Sequence, residues 1–335
     1  MAETADDRAD RAIFYICSAM SKPRGGIKQI YRHVDILCRH GYPAAVVHPI
    51  SGFRVTWFEN TTPVIDRAQF RAAFRPDHDV VVIPEGIALE AMLVSPHRVI
   101  FNQNAYYGFV ALGPDVPDPD PYRNIAAALV VSDHNAELLR FAYPGLDVVR
   151  VRCGVDAEVF RPRPLRDKKR QVVCVARKGE PVNLAVFHAL ASRRRARGLP
   201  ELPWCFLEDR PQAAVAQILA ESLIVLFASV EEGFGLLPVE AMLAGCLVIT
   251  HGSGPQREYA PARSCYAEHD IPGIVRAIEE IVEATPEALE ARQALCDEAR
   301  TEVATAYSLA AEEASVLAAW ERVLSATRRR PALPR

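Results

Sequence analysis

The residues best suited to chemistry lie in 229–254, SVEEGFGLLPVEAMLAGCLVITHGSG. Glu232 and Glu240 stand on either side of the turn Gly233-Phe234-Gly235-Leu236. A carboxylate accepts hydrogen bonds and donates none, so each acid suits hydrogen-bond donors. A glycine turn feeding a helix presents unpaired N–H groups and the positive end of the helix dipole, a combination that suits a phosphate. Arg177 and Lys178 follow an apolar run at 171–176 and extend that chemistry. Charge-assisted hydrogen bonds to an anion contribute about 1.5–3 kcal/mol each. The plainer reading makes these acids and cations solvated surface groups of an ordinary α/β core. Gly25-Gly26, closing the polar loop SAMSKPRGG, is a weaker signal, because many nucleotide-binding-like domains begin this way for packing reasons alone.

Positioning these groups requires alternating strands and helices. Apolar runs at 223–228 and 247–250 read as buried strands that bracket the glutamates, with Pro238 able to start the helix between them and Gly245 ending it. Earlier strands are expected at 12–17, 44–48, 79–83, 98–101 and 127–132. Ile27, Ile30, Val34 and Leu37 recur at helical spacing and predict a helix over 27–40. Short helical pieces are expected at 87–93 and 136–141. The second half repeats the alternation, with strands at 171–176 and 204–207 and helices at 183–197 and 213–220. The pattern predicts parallel sheets with helices on both faces. Residues 161–170, RPRPLRDKKR, are basic, proline-bearing and poor in apolar residues, and read as an interdomain linker. Surface helices are expected at 271–283 and 287–306, an amphipathic helix at 307–324, and a disordered tail from 328.

The set Glu232-Gly233-Phe234-Gly235-Leu236, Glu240-Ala241-Met242 and Gly245 resembles the paired-glutamate signature of retaining glycosyltransferases with the GT-B fold, family 4 (glycosyl transferases group 1) in particular. Cys153-Gly154-Val155-Asp156, followed by Phe160 and Pro162, is similar to the family's segment leading into the second domain, with Cys in place of the usual Asn. The resemblance implies an α/β fold of two Rossmann-like domains facing a cleft, with a C-terminal helix crossing back to the first. The corresponding boundaries are 1–161 for an acceptor-side domain, 162–306 for a donor domain, 307–327 for the crossover helix and 328–335 for the tail.

It further implies a metal-independent transfer, with retention, from a nucleotide-diphosphate sugar to a hydroxyl of a glycan, lipid-linked sugar or small molecule. No cofactor is implied beyond the donor itself. Glu232, Arg177 and Lys178 would act at the reacting sugar and leaving diphosphate. Glu240 would bind the donor ribose, and Gly233, Phe234, Gly235, Leu236, Gly25 and Gly26 would line the donor site. Where the family often carries a histidine, this chain has Asn102, Gln103 and Asn104, so Asn102, Asn104 and Tyr106 are the candidate sugar contacts there. The second domain is shorter than usual, and the cations at 177 and 178 are adjacent where the family spaces them. Two alternatives stay open: a non-catalytic nucleotide-sugar-binding or accessory relative, and a nucleotide-sugar epimerase of the same fold.

Composition narrows the field. The 335 residues suffice for two domains, half of them are apolar, and the formal net charge is −3. That balance argues against a nucleic-acid binder. No apolar run approaches the ~20 residues that span a bilayer, and the first residues, MAETADDRADR, are too polar for a secretory signal. A cytoplasmic protein, at most peripheral to a membrane, is expected; Arg193-Arg194-Arg195 is the stretch that could meet anionic lipid. The eight cysteines include no C-x-x-C pair and read as reduced core residues. Asp118-Pro119-Asp120 has the form of a metal-binding D-x-D but lies in a proline-rich loop with no leading strand, and no metal site is expected.

Overall fold

The computed structural model describes residues 10–86, 97–112, 122, 125–175, 178–252, 254–259 and 264–327. The helical piece expected at 87–93, the Asp118–Asp120 loop, Arg177 and the tail from 328 lie outside these residues. The chain divides into two compact units, Met1–Cys153 with Glu312–Arg335, and Gly154–Ala311. The first boundary falls before the expected 161, for a reason visible in the packing. Val155, Phe160 and Leu165 are buried, and the Leu165 N–H donates to Gln293 Oε1 at 2.8 Å, so the basic stretch is anchored within unit 2.

Unit 1 is built on strands β1 (Ile13–Ile16), β2 (Ala44–His48), β3 (Val64–Asp66), β4 (Val80–Pro84), β5 (Arg98–Asn102), β6 (Ala127–Val130) and β7 (Val148–Arg150). They form one parallel sheet in the order β3-β2-β1-β4-β5-β6-β7. Helices α1 (Gly25–Arg39), α2 (Arg67–Ala73), α3 (Tyr107–Leu112) and α4 (Asp133–Ala142) lie between the strands in the chain. The central strands are buried on both faces, in keeping with their largely apolar sequences AAVVH, VVVIP and AALV.

Unit 2 carries β8 (Lys169–Val175), β9 (Trp204–Leu207), β10 (Ser222–Phe227), β11 (Leu247–Thr250) and β12 (Cys265–Ala267), parallel in the order β12-β11-β10-β8-β9. Its helices are α5 (Glu180–Ala196), α6 (Gln212–Glu221), α7 (Leu236–Leu243), α8 (Ile271–Val282) and α9 (Pro286–Ala306). Helix α8, expected at the surface, instead buries Ile274, Val275, Ile278 and Ile281 in the unit's core. Arg193, in the arginine run at the end of α5, makes two hydrogen bonds to Glu279, and Arg197, just past the helix, makes two to Glu283, so the end of α5 is clamped to the end of α8.

The last helix, α10 (Leu309–Thr327), returns the chain to unit 1. Trp320 is fully buried and its Nε1 donates to the Tyr15 hydroxyl at 3.0 Å. Buried Glu312 pairs with Arg32, and Ser315 Oγ accepts the Arg152 N–H at 2.8 Å. All eight cysteines are free thiols. Among the described residues no helix is long and apolar enough to cross a membrane.

Candidate functional site

The switch point of the unit 2 sheet lies between β8 and β10: the chain leaves β8 toward β9 on one side and β10 toward β11 on the other. Loops that depart in opposite directions open a crevice at the strands' carboxyl ends, where open α/β sheets take ligands. The β8 loop is tightly made. Lys178 N–H donates to Val175 O at 3.3 Å, and buried Asn183 donates through Nδ2 to Val175 O at 3.2 Å and to Lys178 O at 2.8 Å. Gly179 caps α5 with φ +65°, and a Cβ there would stand 2.9 Å from the Ala228 carbonyl carbon and oxygen. Only glycine lets the β8 loop touch the β10 loop this closely.

That contact brings Lys178 Nζ to 2.5 Å from Glu232 Oε1. Glu232 is buried and its cationic partner mostly so. The β10 loop is tied on its other side by Gln256, whose Nε2 donates to Ser229 O and whose Oε1 accepts the Gly252 N–H at 3.0 Å. Thr250 Oγ1 accepts the same N–H at 3.0 Å. The ends of β8, β10 and β11 are thereby fastened to one another around Glu232. Gln256 and Thr250 carried no spacing signal in the sequence.

The turn at 233–235 is set by its surroundings. Phe234 is buried, with its ring 5.7 Å from Tyr259 and 5.0 Å from Tyr307. Burial pushes the Tyr259 phenol well up, so it stays protonated and donates to Phe234 O at 3.1 Å. Gly235 adopts φ +86°, where a Cβ would meet the Tyr259 hydroxyl at 2.8 Å and Phe227 at 3.0 Å. Helix α7 then begins at Leu236 with no side-chain cap and no acid in its first turn. Its unpaired N–H groups and positive dipole end suit an anion. Pro238 falls at the third helical position rather than the first, still within the turn where no intrahelical N–H is needed. Glu240 sits one turn further along the helix, half-buried. Lys178, Glu232, Gly233, Phe234, Gly235, Leu236 and Glu240 thus share one sheet edge.

The residues expected in unit 1 divide. Gly25 and Gly26 open α1, again with no side-chain cap, and Gly26 O accepts from Gln103 Nε2 at 3.0 Å. Asn102 is fully buried: its Nδ2 donates to the Tyr122 hydroxyl at 3.0 Å and its Oδ1 accepts from Asn135 Nδ2 at 2.8 Å. Asn104 accepts the backbone N–H groups of Tyr106 and Tyr107 at 2.9 and 3.3 Å and so caps the turn into α3. These two amides, expected at the sugar, serve the fold locally. Tyr106 is half-buried, its ring 6.1 Å from His134. One group had no sequence signal: Glu85, directly after β4, accepts the backbone N–H groups of Gln103 and Asn104 and its own, and burial pushes its carboxyl up to about 7. Among the described residues no three His, Cys, Asp or Glu side chains converge as metal ligands.

Residues 203–301 match the family model described as glycosyl transferases group 1. No curated protein sequence matches the chain. Solved structures resemble it over nearly their whole length. Anabaena HepE, in complex with UDP and glucose, superposes with a TM-score of 0.66 at 14% identity, covering 93% of this chain and 99% of that one. Sucrose-phosphate synthase from Thermosynechococcus elongatus gives 0.69 at 14% identity, covering 94% and 100%. The trehalose 6-phosphate synthase of Burkholderia multivorans gives 0.64 at 12% identity, covering 95% and 99%. At such identities the likeness establishes the architecture, two parallel-sheet Rossmann-like domains of the GT-B kind.

Proposed function

Starting from a chain of GT-B fold whose second unit matches the glycosyl transferases group 1, we propose that it moves a sugar from a nucleotide-diphosphate donor to an acceptor hydroxyl with retained anomeric configuration. The observation that carries this reading is the grouping of Lys178, Glu232, the uncapped start of α7 and Glu240 at the unit 2 switch point. The diphosphate leaving group carries the charge that develops in the reaction, so stabilising it is the principal task. Lys178, Arg177 and the N–H groups opening α7 supply that stabilisation. Glu240 accepts hydrogen bonds from the donor ribose, and Glu232 holds the transferred sugar and faces the cationic character that builds at its anomeric carbon. The scheme draws on no metal and no cofactor besides the donor. UDP and UDP-glucose in the HepE structures make UDP-sugars the first donors to try. A glycan, a lipid-linked sugar or a small molecule supplies the acceptor hydroxyl, and any membrane contact is peripheral.

The test is transfer from a panel of nucleotide sugars in wild type, Glu240→Gln, Arg177→Ala and Glu231→Gln. The first two substitutions should remove most transfer while circular dichroism stays unchanged. Glu231, exposed and outside the glycine turn, should matter little. Normal turnover in both Glu240→Gln and Arg177→Ala rules the assignment out. Donor binding without turnover under any acceptor favours the accessory reading, and conversion of the donor to its stereoisomer the epimerase.

A further inference from the structure

Asn183 is a polar residue on an apolar helix face. It lies near the start of α5, 2% exposed, on the side that also buries Val186 and Leu190 in the core of unit 2. Asparagine is a poor helix former, because its side chain competes for backbone hydrogen bonds. Its Oδ1 is buried and, among the described residues, accepts from nothing. An unmet buried acceptor carries a desolvation cost that an apolar side chain on the same face would avoid.

The other half of the amide accounts for the residue. Nδ2 donates to Val175 O at 3.2 Å and to Lys178 O at 2.8 Å. Both partners are carbonyl oxygens, so the nitrogen has to lie on that side, and both of its hydrogens are used. Val175 is the last residue of β8, and Lys178 immediately precedes Gly179, the cap of α5. A single NH2 group thus joins the two ends of the segment that carries Arg177 and Lys178. The Asn183 N–H closes the first helical turn by donating to Gly179 O at 2.9 Å. Gly179 is in turn pressed against the β10 loop, where a Cβ would stand 3.1 Å from the Ser229 nitrogen as well as against the Ala228 carbonyl. The Lys178 main chain is therefore gripped by Asn183 on one side and by its glycine neighbour's contact on the other, and from that fixed base Nζ reaches Glu232 Oε1 at 2.5 Å.

Resting on the transferase reading above, we propose that Asn183 is a positioning residue of the donor site: it acts through Lys178, holding the main chain so that the ammonium stays beside Glu232 and within reach of the donor diphosphate. A lysine stem is long and flexible, so its ammonium is placed only as well as the backbone that bears it. A bond that fixes this backbone in the free protein removes an ordering cost from the binding step. Asn183 itself touches no substrate.

The test is a double-mutant cycle on the full chain, read by calorimetric titration with UDP and UDP-glucose. Asn183→Ala should weaken nucleotide binding roughly 10-fold, the effect expected when hydrogen bonds that place a charged group are lost. Lys178→Ala should weaken it at least as much. The double variant should bind within about 2-fold of Lys178→Ala, because the placement of an absent ammonium has no effect. Effects that multiply, or an Asn183→Ala protein that binds like wild type, overturn the proposal.

Asn183→Asp keeps the size and supplies a pH signature. At about pH 7.5 its carboxylate faces two carbonyl oxygens and should bind nucleotide as poorly as Asn183→Ala; at about pH 5 the protonated acid regains one O–H donor and should recover part of the affinity relative to wild type at the same pH. Asn183→Ser, with one donor, should fall between wild type and Asn183→Ala, and takes the place of the alanine variant in the cycle if that form fails to fold. A second readout needs no nucleotide. In urea titrations Lys178→Ala should cost less in the Asn183→Ala background than in wild type, because the pair with Glu232 is already loosened there. Equal cost in both backgrounds overturns the proposal whether or not a nucleotide binds. Should every nucleotide sugar be inert while that coupling is found, the transferase reading fails and the hold of Asn183 on Lys178 stands.

Discussion

Lys178 and Glu232 depend on each other. A buried carboxylate is tolerated because a cation lies 2.5 Å away, and that cation is in turn held at the sheet edge by the acid. Removing one partner strands the other charge, at a cost of about 3–5 kcal/mol for a fully buried pair. With Lys178 partly exposed, Lys178→Ala should lower the unfolding free energy by about 2–3 kcal/mol in urea titrations. Adding Glu232→Gln should recover most of that loss but no donor binding, so stability and activity separate. Equal stability of wild type and Lys178→Ala would mean that the pair contributes nothing to the fold. At this scale the sequence was legible where residues formed a spaced set, as in Glu232, the glycine turn and Glu240. Glu85 stood alone after an apolar strand and had no such set. Asn102 and Asn104 had the right chemistry for sugar hydroxyls, but nothing in the chain order revealed that Asn135 and Tyr122 would engage one and a local turn the other.

Elements bring these residues together by allowing backbones to touch. Gly179 is the point where the β8 loop meets the β10 loop. Gly179→Ala should cost more than the roughly 1–2 kcal/mol of left-handed backbone strain, because the obstruction is the Ala228 main chain, which cannot rotate away. Gly52 shares a positive φ, +72°, but has nothing within 4 Å of a would-be Cβ, so Gly52→Ala should show the strain alone. Comparing the two melts isolates the loop contact, and equal destabilisation would argue that the contact is compliant. Most strands were legible as short apolar runs because they are buried on both faces. The three residues of β3 are only half-buried and carry no such run, so no strand was expected there. Helix α2 did leave a trace there: Asp66 and Gln69 form a reciprocal capping box, a D-x-x-Q pattern that marks a helix start. Three-residue β12 was missed for the same reason as β3.

At the scale of the whole molecule, the chain completes unit 1 last. Helix α10 supplies the fully buried Trp320 and the buried partner of Arg32, so unit 1 has an unfilled core until residues 312–327 arrive. Trp320→Ala should destabilise unit 1 by about 3–5 kcal/mol and split the melting curve, with the lower transition belonging to unit 1. A single unshifted transition would show that α10 is dispensable for that core. The chain's length allowed for two units, the last helix was readable from its amphipathic pattern, and its return to unit 1 was an implication of the family resemblance. The boundary was not readable, because a basic, proline-bearing stretch looks like a linker whether or not Phe160 and Leu165 are buried. The central claim concerns unit 2, that its switch point binds a nucleotide-diphosphate sugar through Glu240 and the Lys178–Glu232 pair. Calorimetric titration of the full chain with UDP-glucose and other nucleotide sugars tests it directly. At least one donor should bind, and Glu240→Gln should weaken it by about 10-fold or more, as the loss of hydrogen bonds to a charged acceptor requires, with Glu231→Gln unchanged. Failure of every nucleotide sugar to bind, or equal effects of the two substitutions, would contradict the account.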